Sequence, residues 1–339
     1  MSIKEKISKK TPYKIRRLHG KYKGIILDRE EYKKKKKWEK RRERRGNENP
    51  DKYFYVIRRE PNSTGLLSIY LQAIGKLKEM DDSCKLRKYI PIIDLETDFF
   101  HLCDDNENIH RNAWELYFER VSDYSVRDIS SSKNILLSDG QYALCGKCFF
   151  DNSKIDKFLL SNWYTTDSKY FKLLPELEKE YEETREKLFG TKRVLGVMIR
   201  DGYAALSQAN NHLVNGHPRQ PSIDQLYEKI DSSLSQYSFD YVFLVAETES
   251  INKTFKEKYG ERFLSTDRER SVYKIEDGKV INLKLPKSRV KSNIDYLEEI
   301  YLLSKCAGLI AGKCSGSIVA ALWNKGKYDI LDILQLGSY

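Results

Sequence analysis

The segment Val194–Arg200, VLGVMIR, is an apolar run of strand length that ends in a cation, and a loop carrying His217-Pro218 follows it. A continuous apolar run suits a strand buried on both faces, as in parallel sheets flanked by helices. Ligands of open α/β sheets bind in the crevice outside the carboxyl ends of the strands, which is where this arginine falls. A guanidinium there can grip a diphosphate through two parallel hydrogen bonds. The stretch Leu309–Leu322 repeats the order of strand, small-residue turn (Lys313-Cys314-Ser315-Gly316-Ser317) and apolar helix. The N–H groups that open such a helix attract anions. Together the two segments predict a nucleotide-sugar site.

Working outward, the second half alternates strand and helix. Ser222–Ser235 opens with Ser-x-x-Gln, the spacing of a capping box, and reads as a helix. Tyr241–Ala246 reads as a strand ending at Glu247, Glu249–Tyr259 as a helix, and Arg262–Ser265 as a short strand. Asn293–Cys306 is a helix, Gly308–Ala311 a strand and Ser317–Trp323 a helix. In the first half, strand Tyr53–Arg58 leads through a turn-rich loop closing at Gly65 into the amphipathic helix Leu66–Met80. Tyr89–Leu95 is a second strand, with Asp94 near its end. A short helix over Asn112–Arg120, short strands within 134–150 and a charged helix over Phe171–Phe189 complete it. The expected architecture is α/β, with two Rossmann-like domains facing a cleft and a basic N-terminal extension. The boundaries are residues 1–50, 51–190 and 191–339, with the break near 185–193.

The net charge of +11 is concentrated. Residues 1–50 hold 20 Lys and Arg against 7 Asp and Glu, and the remainder holds 41 against 43. The basic segment includes Asp28–Arg45, which reads as a helix opened by acids, closed by bases and followed by Gly46. It suits attraction to an anionic membrane surface, at about 1 kcal/mol per basic residue, or a solvated extension. The near-neutral remainder argues against nucleic acid as partner. No run approaches the roughly 18 apolar residues of a membrane span, and the first residues lack a signal peptide's apolar stretch. The expected location is cytoplasmic, at most peripheral on the membrane. Apolar residues make up 40 % of the chain, and 13 Phe, 4 Trp and 23 Tyr can fill its cores. The six cysteines make no disulfide framework in a chain of 339 residues. Cys145-Gly-Lys-Cys148 is a single CxxC, where a structural zinc site needs a second pair; His101 and Cys103 could complete one, but nothing else couples them, so no metal site is expected.

The segments Gly196-Val197-Met198-Ile199-Arg200-Asp201-Gly202-Tyr203, His217-Pro218, Glu299–Ser304 and Leu309–Ser317 resemble a known superfamily. It comprises the α1,6-fucosyltransferases of N-glycan cores, their nodulation-factor relatives and the protein O-fucosyltransferases. The likeness covers roughly residues 53–335 and is strongest in the last 145 or so. It implies a GT-B fold and an inverting transfer from GDP-fucose, with no metal or other cofactor, to a glycan or lipid-linked oligosaccharide. Arg200 matches the arginine that holds the donor diphosphate, Ser315 the serine of the phosphate-side turn, and Glu299 the acidic residue of the preceding helix. Strand 53–58 and loop 61–65 resemble the family's glycine-containing loop facing the cleft. The chain departs from the pattern at Met198, Asp201, Tyr203 and Gly316, where the family carries His, Arg, Asp and Ser.

The candidate catalytic residues are therefore Arg200, Asp201 and His217, with Asp201 either a general base or an orienter of Arg200. The candidate donor-binding residues are Arg200, Glu247, Glu299, Lys313, Ser315, Gly316 and Ser317; Gly65 and Asp94 are expected to line the cleft. Each has a plainer alternative. Arg200 could pair with Asp201 or Asp224, His217 could brace its loop, Glu247 could cap a helix, and Ser315 and Ser317 are eligible N-caps. A nucleotide-sugar or glycan-binding module that kept the fold and lost the chemistry is the alternative function.

Overall fold

The computed structural model describes residues 40–59, 65–95, 102–104, 112–139, 155–202, 217–276, 279–284 and 287–338. Two sheets organise them. The first is ordered β1 (Arg41–Glu43), β4 (Ile135–Leu137), β2 (Phe54–Arg58), β3 (Ile90–Asp94). Its strands are parallel except β1, which pairs antiparallel with β4. The second is ordered β11 (Ile330–Leu334), β10 (Gly308–Gly312), β5 (Val194–Ile199), β6 (Tyr241–Ala246), β7 (Phe263–Leu264), and every pairing in it is parallel. A hairpin of β8 (Val272–Glu276) and β9 (Lys279–Lys284) stands apart.

The chain starts the second sheet at its centre. From β5 it steps out through β6 to β7, then returns to the other side of β5 for β10 and β11. The reversal makes the gap between the carboxyl ends of β5 and β10 a topological switch point, the place such sheets reserve for ligands. The central position also explains the apolar run: all six residues of β5 are buried, between two strands and under helices on both faces. In the first sheet β2 lies between β3 and β4, so the corresponding switch falls beside Arg58.

Helices cover both sheets. They are α1 (Leu66–Asp82), α2 (Lys157–Tyr170), α3 (Pro175–Phe189), α4 (Ile223–Gln236), α5 (Glu249–Tyr259), α6 (Arg289–Lys305) and α7 (Ser315–Asn324). Ser222 caps α4 with the expected capping box, closed by Gln225, a device worth about 1 kcal/mol. Helix α7 packs on α6, α2 and α1, so helices of the two sheets share one apolar cluster. Within it the buried Tyr70 hydroxyl donates to Asp167 and accepts from Trp323 Nε1 at 2.9 Å. Tyr181 of α3 donates to the Ile294 carbonyl of α6 at 2.8 Å. Asp104 accepts from the Arg289 N–H and the Ser288 hydroxyl, both at 2.6 Å, at the start of α6.

Several elements differ from the sequence reading. Of the helix expected over Asp28–Arg45, residues up to 39 lie outside the described residues, and Arg41–Glu43 forms the edge strand β1. Pairing with β4 satisfies that backbone, which an isolated, highly charged helix could not match for stability. Helix α2, the β8–β9 hairpin and β11 were not legible from periodicity. The hairpin does have a local signal, the Asp277-Gly278 dipeptide between its strands. Cys145, Cys148, His101 and Tyr203 lie outside the described residues, as does residue range 60–64 of the loop before Gly65.

Candidate donor site at the strand switch

Arg200 follows the last residue of β5, and its Nε lies 2.5 Å from Glu247 Oε1. Both side chains are 24 % exposed, so the pair is partly open to a ligand. Glu247 follows β6, and its other oxygen accepts from the Gly202 N–H at 3.0 Å. Asp201 returns the link: Oδ1 accepts from the Glu247 N–H at 2.8 Å, and Oδ2 accepts from the Thr248 hydroxyl. These contacts bind the ends of adjacent strands into one rigid corner. Burial raises the Asp201 carboxyl above its ordinary pKa, and the charge of Glu247 adds to the effect. With both oxygens engaged, Asp201 serves the corner as a brace.

Gln220 spans the switch point. Its Oε1 accepts from the Arg200 N–H at 3.2 Å, and its Nε2 donates to the Lys313 carbonyl at 3.0 Å. The ends of β5 and β10 are thereby tied through one side chain. Gly312 permits this, since a Cβ there would collide with the Gln220 side-chain oxygen and press on Pro221. Lys313 is buried, with its N–H on the Leu334 carbonyl at 3.2 Å. The preceding loop is anchored where Pro218 bridges to Ser338 and the Arg219 N–H reaches the Gly337 carbonyl at 2.9 Å. Burial, then the charge of Arg200, lower the pKa of His217. Both causes favour the neutral imidazole, the form that can accept a proton.

Helix α7 begins at the same edge. Its N-cap is Cys314, with neither neighbouring serine in that role. The Ser317 N–H donates to Cys314 Sγ at 3.4 Å, and the Cys314 N–H donates to Ser317 Oγ at 3.0 Å. Ser317 is fully buried, and its hydroxyl donates to the Gly312 carbonyl at 2.9 Å. The Ile318 N–H makes the first rung of the helix, to the Cys314 carbonyl at 3.2 Å. The N–H groups of Ser315 and Gly316 remain outside the ladder, as the first donors of a helix must, and can meet an anion. Gly316 is dictated by packing: a Cβ would collide with the Tyr296 hydroxyl and come within 2.5 Å of the Met198 methyl.

Glu299 has no exposed surface. Its Oε2 is 3.0 Å from Arg268 Nε, and its Oε1 is 3.0 Å from Arg270 Nη2 and accepts from the Thr266 hydroxyl at 2.6 Å. Its reach toward a ligand runs through these partners. Burial raises its pKa, against the two arginines, which lower it. The sequence reading missed Gln220, Thr266, Arg268, Arg270 and Tyr296, because only the fold brings 266–270 under the end of β6. Gly65 and Asp94 belong to the carboxyl edge of the first sheet. Gly65 precedes α1 with φ −69° and open space where a Cβ would stand, so neither backbone nor packing demands glycine. Asp94 ends β3 in register with Arg58 of β2. Burial lowers the pKa of Arg58, and the charge of Asp94 opposes that shift. Among the described residues no group of three or more His, Cys, Asp or Glu could hold a metal ion. Nor is any helix there long and apolar enough to cross a membrane.

No family model and no curated protein sequence matches the chain. Solved structures similar to it include fucosyltransferases. NodZ alpha-1,6-fucosyltransferase co-crystallized with GDP is 15 % identical over 80 % of this chain and 92 % of its own, with a TM-score of 0.49. The same enzyme soaked with GDP-fucose is 13 % identical over 80 % and 93 %, with a TM-score of 0.46. POFUT1 in complex with GDP-fucose is 10 % identical over 83 % and 72 %, with a TM-score of 0.37.

Proposed function

We propose that the chain is a glycosyltransferase that transfers a sugar, fucose from GDP-fucose, to a hydroxyl of a glycan or lipid-linked oligosaccharide. The observation that carries this reading is the Arg200–Glu247 pair at the β5–β10 switch point, beside the N–H groups of Ser315 and Gly316 that stand outside the helical ladder. The choice of guanine and fucose rests on the sequence resemblance of segments 196–218 and 299–317.

The reaction is a single inverting displacement. The acceptor oxygen attacks the anomeric carbon, the bond from that carbon to the diphosphate oxygen breaks, and the nucleoside diphosphate leaves with its added negative charge. Arg200 and the α7 N–H groups are fixed donors for that charge, so they stabilise the transition state more than the ground state. Glu247 and Gln220 hold Arg200 from two sides, which limits the reorganisation required. His217 takes the acceptor proton, since burial and Arg200 favour its neutral form, while Asp201 has both oxygens bound. The transfer proceeds without a metal, and the basic N-terminal segment holds the enzyme at an anionic membrane surface. The occupied oxygens of Asp201 favour a second reading, a binding module of the same fold without turnover.

Thermal-shift titration with GDP, UDP, CDP and GDP-fucose in EDTA tests the reading on wild type and Arg200→Ala. Stabilisation by GDP and GDP-fucose of roughly 2.7 kcal/mol at a hundredfold excess over Kd, lost in Arg200→Ala, is expected. No response to any nucleotide removes the donor site. Binding of GDP-fucose without sugar release to any acceptor or to water identifies the binding module.

A further inference from the structure

The motif position after Arg200 is an acid, Asp201, so the strand end supplies one cation, and Glu247 already faces it. A second cation stands nearby on another segment. Arg268 is held on three sides: Nε faces Glu299 Oε2 at 3.0 Å, Nη2 donates to the Ala246 carbonyl at 2.7 Å, and Cζ lies 5.5 Å from the Tyr296 ring centroid. Its Nη1 has no hydrogen bond or ion pair among the described residues, and the side chain is 11 % exposed. The carboxylate beneath is shared. Arg270 also pairs with Glu299, and spends its Nη1 on the Thr266 carbonyl at 3.0 Å and the Arg268 carbonyl at 3.3 Å. Two guanidiniums thus share one fully buried carboxylate, and Glu249 and Asp267 lend Arg270 further negative charge. A largely buried guanidinium whose Nη1 edge is open calls for an anion.

The location matches that demand. Ala246 ends β6, one residue before the Glu247 that pairs with Arg200. Tyr296, on which Arg268 lies, presents its hydroxyl to Gly316 at the start of α7. Arg268 therefore stands on the same carboxyl edge as Arg200 and the α7 N-terminus.

We infer that Arg268 is a second diphosphate-binding residue, its Nη1 edge donating to a phosphate oxygen of the donor while Glu299 and the Ala246 carbonyl fix the fork. This rests on the donor-site reading above. Glu299 acts through Arg268 as a positioning residue.

The test uses calorimetry with GDP and pyrophosphate, and ligand-observed NMR with uncharged guanosine, on wild type, Arg268→Met and Arg268→Lys. In Arg268→Met, affinity for GDP and pyrophosphate is expected to fall ~10- to 100-fold, the range of a charge-assisted hydrogen bond, while guanosine binding changes less than about twofold. Arg268→Lys keeps the charge without the fork, so it is expected to fall between; it also answers the question if the methionine variant does not fold. Unchanged GDP affinity overturns the inference while leaving the donor site standing. Equal losses for GDP and guanosine also overturn it, because they mark a packing role. A wild type that binds no nucleoside diphosphate overturns the donor reading and the inference with it.

Discussion

Glu247 holds Arg200 and the turn behind it at once: Oε1 lies 2.5 Å from Arg200 Nε, and Oε2 accepts from the Gly202 N–H at 3.0 Å. A ligand phosphate arriving at Arg200 therefore meets a guanidinium whose position is already set. Removing the carboxylate frees the cation but loosens its aim. Glu247→Gln is expected to weaken GDP binding by less than Arg200→Ala does, and to lower any transfer rate more than affinity. Calorimetry and initial-rate measurement on the same preparations check this split between binding and orientation.

His217 offers an independent check on the site's geometry. Burial and the neighbouring Arg200 charge both hold its imidazole below the usual pKa. Arg200→Ala removes the second cause, so the His217 pKa is expected to rise toward its ordinary value without reaching it. An NMR pH titration of the imidazole resonances reads this directly. An unchanged midpoint would separate the two residues.

Gly316 makes a prediction that runs against its sequence pattern. Serine is the residue of the resembling motif at this position, yet a Cβ here collides with Tyr296 and Met198. Gly316→Ser is expected to destabilise the fold by about 1–3 kcal/mol, the usual cost of overpacking. Tyr296→Phe removes the colliding hydroxyl and should recover part of the loss. A double-mutant cycle by urea denaturation measures the coupling.

Glu299 sits between two arginines with no exposed surface, so removing its charge takes away the one carboxylate they share. Glu299→Gln is expected to cost about 3–5 kcal/mol of stability, as in other broken buried pairs. The same change to an exposed glutamate such as Glu183 should cost almost nothing. Denaturant midpoints of the two variants decide the matter.

Asp167 predicts a pH dependence of stability. Burial pushes its pKa up to about 6, against the hydrogen bond from Tyr70. An acid whose pKa is raised on folding favours the folded state while protonated. Its contribution is full below the unfolded value and is lost as pH rises through about 6. Asp167→Asn is therefore expected to flatten the stability profile between pH 4 and 7. At pH 7.5 it should gain on the order of 3 kcal/mol. Thermal unfolding across that range is the measurement.

Local sequence was sufficient for the parts of this protein that a few neighbouring residues dictate. The apolar run before Arg200 reads as a doubly buried strand because a parallel sheet covers both its faces. Ser222 and Gln225 announce a helix start because their side chains satisfy its first donors. The carboxyl edge of the second sheet was legible for the same reason, through Arg200, Glu247 and the small-residue turn at 313–317. What joins those pieces was not. Gln220 reaches Arg200 and Lys313 only because β5 and β10, over a hundred positions apart, lie side by side. Cys314 rather than a serine caps α7, a choice settled by which side chain the backbone aims at its own first turn. Glu299, read as a ligand contact, is buried under Arg268 and Arg270, whose segment is charged, irregular and without periodicity. Periodicity and capping, both local, set the elements. Which polar groups face one another followed from the assembled fold, because a buried charge takes its partner from whatever the packing brings within hydrogen-bond reach.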